Sequence, residues 1–216
     1  MTRQIDDVLS NNGQDYTVVE VELGQIYSPP PNMRICFMHT ACYKGFHCQY
    51  SVSTETGDLT LTTLYVRTED DVYPPIDGVD PVLQGVSFSN NNGNNTSNNR
   101  NDATILQATY IGLQVPMTHF TGRIRIGADV LPWPETDAFE GDASAYKRVL
   151  ELNVEQGRVM AAKDLSEEVA ARRKENNEGG TSECHLFSWA FDRIKFQLED
   201  MKQNPGRYPK DHEDDL

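Results

Sequence analysis

The densest set of chemistry-bearing side chains is Cys36, His39, Cys42, His47 and Cys48. Thiolates and imidazoles in so short a span are the donor types that hold zinc. The spacing argues against it. No C-x-x-C pair occurs, and His47 and Cys48 are neighbours on an alternating segment, so their side chains leave opposite faces. The expectation is free thiols buried as small hydrophobes, with no metal. A Cys36–Cys48 disulfide would need residues 33–38 and 46–52 to pair about Cys42. Shifting that register by one residue puts Ile35 and Phe37 with Phe46 and Tyr50, and the apolar pattern prefers the shift.

Carboxylates gather in two further segments. Glu69, Asp70, Asp71, Asp77 and Asp80 surround Tyr73, and Asp129, Glu135, Asp137, Glu140 and Asp142 surround Trp133. A tryptophan platform beside paired carboxylates suits a sugar, and two carboxylates can do acid–base chemistry on one. The calcium-loop spacing is absent. Phosphate-loop, dinucleotide, nucleophile-elbow and zinc-protease motifs are also absent, so no catalytic residue and no cofactor is assigned. The candidate binding residues are Asp70, Asp71, Tyr73, Asp129, Trp133, Asp137 and Asp142, on the condition that the fold brings the two segments together.

The charge balance narrows the partner. Lys plus Arg is 19 and Asp plus Glu is 33, a formal charge of −14 over 216 residues. Nucleic-acid binding draws on basic surface that releases counterions, and an anionic membrane attracts basic segments. Neither fits this chain. No apolar run of about 18 residues spans a bilayer. The first residues lack the apolar centre of a secretory signal, so the expected location is cytoplasmic.

The elements that must position these residues are mostly strands. Residues 46–52 alternate apolar and polar, residues 57–58 turn, and residues 59–66 follow with Leu59, Leu61 and Tyr65 on one side. The pair reads as an antiparallel hairpin. Residues 16–23 alternate with Val19, Val21 and Leu23 inward and Glu20 and Glu22 outward. Further strands are expected over 33–37, 104–113, 120–126, 146–154 and from 158. In the third of these, Ile124 and Ile126 oppose Arg123 and Arg125. The period then lengthens. Asp164-Leu165-Ser166-Glu167 resembles a capping box, and Glu168 and Arg172 stand four apart on the charged helix that follows. Phe187, Phe191, Ile194, Leu198 and Met201 recur at helical spacing to about residue 202.

Strands first and helices last predict a mainly β fold with C-terminal α. The form would be an antiparallel sandwich or open barrel with one or two helices packed on it. The expected organisation is a flexible N-terminus (1–14), a single β-rich domain (15–203) and an acidic tail (204–216). Residues 90–101 hold eight Asn in twelve positions and nothing apolar to bury, so they read as a disordered loop inside the domain.

Residues 42–46, 59–66, 73–79, 110–113, 121–127 and 146–159, in that order, resemble a family of bacterial proteins that are intracellular and β-rich, with no established activity. The likeness covers roughly residues 30–175 and implies architecture only. The functional expectation is an acidic protein-binding module, immunity-like or of a related interaction type, engaging a basic partner. With no catalytic motif, the balance falls against an enzyme. The rival expectation is a small-ligand or carbohydrate site, hydrolytic or not, on the acidic loops near Trp133.

Overall fold

The computed structural model describes residues 4–22, 24–88, 103–132 and 141–178. Nine strands form one sheet: β1 (Val8–Asn11), β2 (Gln14–Val21), β3 (Phe46–Val52), β4 (Leu59–Val66), β5 (Val82–Phe88), β6 (Ala103–Pro116), β7 (Gly122–Val130), β8 (Tyr146–Glu155) and β9 (Arg158–Asp164). Among the described residues one α-helix, α1 (Ser166–Glu178), follows them. The mainly β architecture with a C-terminal helix is therefore as expected. The strand order is β5-β6-β4-β3-β1-β2-β7-β8-β9. Every pair is antiparallel except β1–β3, which runs parallel from Val8↔Gln49 to Asn11↔Val52.

The sheet curls on itself. β4 and β9 are not neighbours in the strand order, yet Leu59 N donates to Gly157 O at 2.7 Å and Val159 N donates to Gly57 O at 2.8 Å. These bonds form where β6 has ended, at Pro116 opposite Thr60. The result is a partly closed barrel from a single sheet, not two sheets stacked as a sandwich. Inside the curl lie Tyr50, Leu61, Tyr110, Leu113, Ile124, Ile126 and Leu152, all buried. Burying each such side chain contributes roughly 1.5–3 kcal/mol. A second, smaller cluster sits on the outer face, where Tyr146, Val149 and Leu165 pack with Val19 and Val169 beneath α1.

Three sequence expectations change here. Residues 8–11 are not a flexible end but the central strand β1, with Leu9 fully buried. Four residues are too few for a periodic signal, and the parallel partner is remote in sequence. Residues 33–37 form no strand, since only Ile35 bridges, to Thr68. They therefore do not pair with residues 46–52, and Cys36 and Cys48 are separate free thiols. Finally, bulges shift the side-chain parity on two strands. A register break between Val18 and Glu20 turns Val19 to the outer cluster under α1 while Tyr16, Val18 and Val21 face the main core. In the β3–β4 ladder Gln49 faces Thr63 but Tyr50 faces Leu61, so Thr62 is an extra residue on β4 that sends Leu64 and Val66 inward. Tyr65 is left outside, where it stacks on His47 with ring centroids 4.2 Å apart. A bulge adds one residue to one strand, which reverses inside and outside beyond it.

The Asn-rich residues 90–101 and the aromatic stripe from Phe187 to Met201 lie outside the described residues. Among the described residues no helix is long and apolar enough to cross a membrane.

Candidate functional site

The two acidic segments leave opposite ends of the sheet. Along the ladders, Val66 lies opposite Phe46 at the start of β3. The β7 residue Gly127 lies opposite Thr17, so Val130 lies beyond it toward Gln14 and the β1–β2 turn. The end of β4 and the end of β7 therefore point apart. Asp70, Asp71 and Tyr73 share one end, and Asp129 and Asp142 share the other. The condition that the fold unite them is not met. Trp133 and Asp137 lie outside the described residues.

At the β7 end the carboxylates serve local structure. Asp129, with φ +59°, accepts from Arg148 Nε at 2.6 Å, and that guanidinium sits 5.9 Å over the Tyr16 ring. Asp142 caps the 3-10 turn Ala143–Ala145 by accepting from Ser144 N at 2.7 Å. Both are engaged in holding the chain that carries them.

The β4 end is arranged differently. Residues 34–37 run beside 67–69: Cys36 N donates to Arg67 O at 3.1 Å, and Glu69 N donates to Arg34 O at 2.8 Å. Arg67 Nη1 donates to Phe37 O at 2.7 Å, which fixes the backbone under that ring. The chain then reverses over residues 38–42. Met38 N donates to Cys42 O, Cys42 N donates to His39 O, and Ala41 N donates to His39 Nδ1. That reversal brings Phe37 and Tyr43 together, with ring centroids 5.5 Å apart and planes tilted by 36°. Both rings face solvent, Phe37 at 46% and Tyr43 at 59%.

The N-terminal segment straps this reversal in place. Gln4 Nε2 donates to Thr40 O and Ile5 N donates to Ala41 O, while Tyr43 N donates to Gln4 Oε1 at 2.9 Å. Asp7 Oδ1 accepts from both Lys44 Nζ and Cys48 N, each at 2.9 Å. The expected flexible end is thus the part that holds the aromatic pair.

Beyond Glu69, the β4–β5 segment presents Asp70, Asp71, Asp77 and Asp80 to solvent. Two hydroxyls anchor it: Tyr73 donates to Leu106 O at 3.0 Å, and Tyr110 donates to Pro74 O at 2.8 Å. Asp77 and Gly78, at φ +49° and +75°, close a tight turn in which Ile76 and Val79 exchange backbone bonds. This is the geometry Asp-Gly favours in hairpins. Glu69 is paired with Arg34 at 2.6 Å. Asp70 Oδ1 accepts from Val72 N at 3.3 Å, and Asp70, Asp71, Asp77 and Asp80 have no basic partner among the described residues, whereas Glu20, Glu22, Asp58, Asp129 and Glu151 each have an arginine. Burial is the main cause that raises the pKa of the Cys36 thiol; Arg67 lowers it, and Glu69, Asp71 and Asp70 raise it to a lesser degree.

Among the described residues no three His, Cys, Asp or Glu side chains converge as metal ligands. Cys42 and Cys48 are buried, and burial is the leading cause that raises both thiols. The outer face of β2, β7 and β8 carries a shallow charged groove lined by Glu20, Glu22, Arg123, Arg125 and Glu151. There Arg125 joins Glu20 to Glu151, and Arg123 makes a forked pair with Glu22. Its charges are already paired with one another. The sequence alone marked Asp70, Asp71 and Tyr73 as candidates and did not mark Phe37 and Tyr43. Phe37 reads as the end of a strand over 33–37, and the reversal at His39–Cys42 that brings Tyr43 to it has no Gly or Pro signal.

No family model, curated protein or solved structure matches the chain, so no residue takes a role here from a relative.

Proposed function

We propose that the protein is an acidic protein-binding module whose partner surface lies at the end of β4. The observation that supports this reading is a solvent-facing aromatic pair, Phe37 and Tyr43, at the end of the sheet from which the segment carrying Asp70 and Asp71, carboxylates with no basic partner among the described residues, also leaves. Val72, also exposed at 56%, extends the apolar part. Interfaces concentrate binding energy in a few aromatic anchors and surround them with a polar rim. A rim of one sign selects a partner of the other sign and steers its approach. The chain's charge of −14 adds to that field. The role of Tyr73 in this reading is support, since its hydroxyl is committed to Leu106.

The test is capture of partners from a lysate of the source cell at low and at physiological salt. It uses the wild-type protein, Asp70→Asn/Asp71→Asn, and Asp129→Asn/Asp142→Asn. The expected result is a set of basic proteins held at low salt, released as salt rises, lost with the first pair of changes and kept with the second. Identical captured proteins in all three samples would remove the β4 end as the interface.

A further inference from the structure

We infer that the free edge of β5 is the docking edge for a second copy of this chain, the two β5 strands pairing antiparallel about a two-fold axis at Gly85. This surface is separate from the partner surface at the β4 end and does not rest on it.

The ladders decide which backbone groups β5 offers. In an antiparallel pair each residue sends its N–H and C=O to one side, and alternate residues take opposite sides. Leu106 O accepts from the Tyr73 hydroxyl at 3.0 Å, on the β4 side of β6, so Leu106 faces away from β5. Gly85, its register partner, therefore faces away from β6. A second path leads to the same phase. Arg67 N donates to Gly45 O on the β3 side of β4, so Val66 faces β6. Ala108, opposite Val66, then faces β4, and Leu83, opposite Ala108, faces outward. Leu83, Gly85 and Ser87 thus present a row of N–H and C=O groups along the edge, with no partner among the described residues.

Folded proteins blunt a free edge with charge, proline or a bulge. The opposite edge, β9, is blunted. Val159 N is taken by Gly57 O, a bulge falls at Met160, and Lys163 and Asp164 charge its end. β5 has none of these. Its ladder runs from Val82↔Thr109 to Phe88↔Ala103 without a break, and it holds no charged residue and no proline. Val82 and Leu83 are both 52% exposed although apolar.

The charge pattern selects a second copy as the occupant. No Asp, Glu, Lys or Arg lies between Asp80 and Arg100, in a chain whose net charge is −14. β5 is therefore a neutral strip on which two acidic molecules meet with least repulsion. Antiparallel pairing keeps Asp77 and Asp80 of the two copies at opposite ends of the joined strands, whereas parallel pairing sets them side by side. The outward residues are also symmetric about Gly85. Gly85 exchanges bonds with Gly85 of the second copy, and Leu83 exchanges bonds with its Ser87, so every outward group is used. Strand spacing sets the strength. Seven residues at about 3.4 Å, on an edge about 10 Å deep, cover roughly 240 Å² per copy. That is about 500 Å² in all, against roughly 1,200 Å² for a stable interface, so the dimer is weak and reversible.

The experiment is sedimentation of the full chain from about 10 μM to about 1 mM, with amide hydrogen exchange at both ends of that range. The expected result is a monomer at the low end and a dimer at the high end. Exchange should slow at Leu83, Gly85 and Ser87 only where the dimer forms, while Gln84 and Val86, bonded to β6, are protected throughout. Salt should strengthen the dimer by screening the charge of each copy, opposite to its effect on a basic partner. Gly85→Pro removes an outward N–H and no bond to β6, so it should abolish the dimer and leave the melting temperature nearly unchanged. If that variant fails to fold, Gly85→Lys and Gly85→Asp replace it. Each alone should dimerise about three- to five-fold more weakly, and an equal mixture should recover the wild-type strength, because like charges opposite each other repel and unlike charges attract. A dimer indifferent to these changes, or one that protects the amides of β9 instead, would overturn the assignment. A monomer at every concentration would also overturn it: with the three amides already protected, the chain's own residues cover the edge, and with them exposed, the edge is left to another protein's strand.

Discussion

Tyr73 and Tyr110 hold each other's surroundings: the Tyr73 hydroxyl donates to Leu106 O on β6, and the Tyr110 hydroxyl, from the same strand, donates to Pro74 O beside Tyr73. Two bonds in opposite directions tie the acidic segment to the barrel wall. Tyr110 is fully buried. Removing either hydroxyl strands a carbonyl, at a cost of about 0.5–1.5 kcal/mol each. Tyr73→Phe and Tyr110→Phe should each lower stability in urea unfolding by that amount. The double variant should lose less than the sum, since both bonds hold one segment. Strict additivity would show that the two act separately.

Gly45 and Gly13 offer a matched contrast. Both have left-handed backbones, at φ +77° and +74°. A methyl group on Gly13 would meet open space, while one on Gly45 would lie 2.0 Å from Cys36 O. Gly13→Ala should cost only the backbone term, about 1–2 kcal/mol. Gly45→Ala should cost clearly more, and it should also disturb the Phe37–Tyr43 pair, because Cys36 leads directly into Phe37. Thermal melts of the two variants make the comparison, and equal losses would contradict it.

The three described thiols should react in the order of their exposure. Cys42 and Cys48 are buried and Cys36 is half-buried. Only a thiolate is a good nucleophile, and burial raises all three thiols. With Cys184→Ser in the background, native protein should react slowly with a thiol reagent at Cys36 and not at Cys42 or Cys48 until it unfolds. Rapid native modification of Cys48 would show that the barrel opens.

Acid should destabilise the protein through His47 before the carboxylates titrate. Burial is the main cause that pushes this imidazole from 6.5 down to about 4, with Lys44 and His39 helping and Asp7 opposing. Between those values the unfolded chain binds a proton that the folded chain refuses. Stability from this group is therefore intact above about pH 6.5 and declines as pH falls toward 4. Glu22 and Asp58, held low chiefly by hydrogen bonds from Arg123 and from Thr56 and Arg158, lose their contribution only below the ordinary carboxylate range. Melting temperatures at pH 7 and pH 5 should differ by several degrees in the wild-type protein. They should differ less in His47→Phe, which keeps a ring against Tyr65. The same slope in both proteins would assign the effect to other groups.

What the sequence determined by itself was local. Alternation placed Phe46, Cys48 and Tyr50 inside and Arg123 and Arg125 outside, and Asp164 caps the start of α1 through Ser166 N at 2.8 Å, because these features depend on neighbours two to four residues away. Only the tertiary structure decided the rest. The parallel pairing of β1 with β3 joins residues 41 positions apart, and nothing in four residues announces it. The bulges at Val19 on β2 and Thr62 on β4 turn Val19 and Tyr65 outward without a Gly or Pro of their own to mark them. Whether Asp70 and Asp71 meet Asp129 and Asp142 depends on which end of the sheet each strand leaves from, and the ladders send them apart. The meeting of Phe37 with Tyr43 needs three segments at once: the strap at residues 4–7, the reversal at 38–42 and the run beside 67–69. Such a conjunction is set by hydrogen bonds between distant backbones, and a one-dimensional pattern of apolar and polar residues does not encode their geometry.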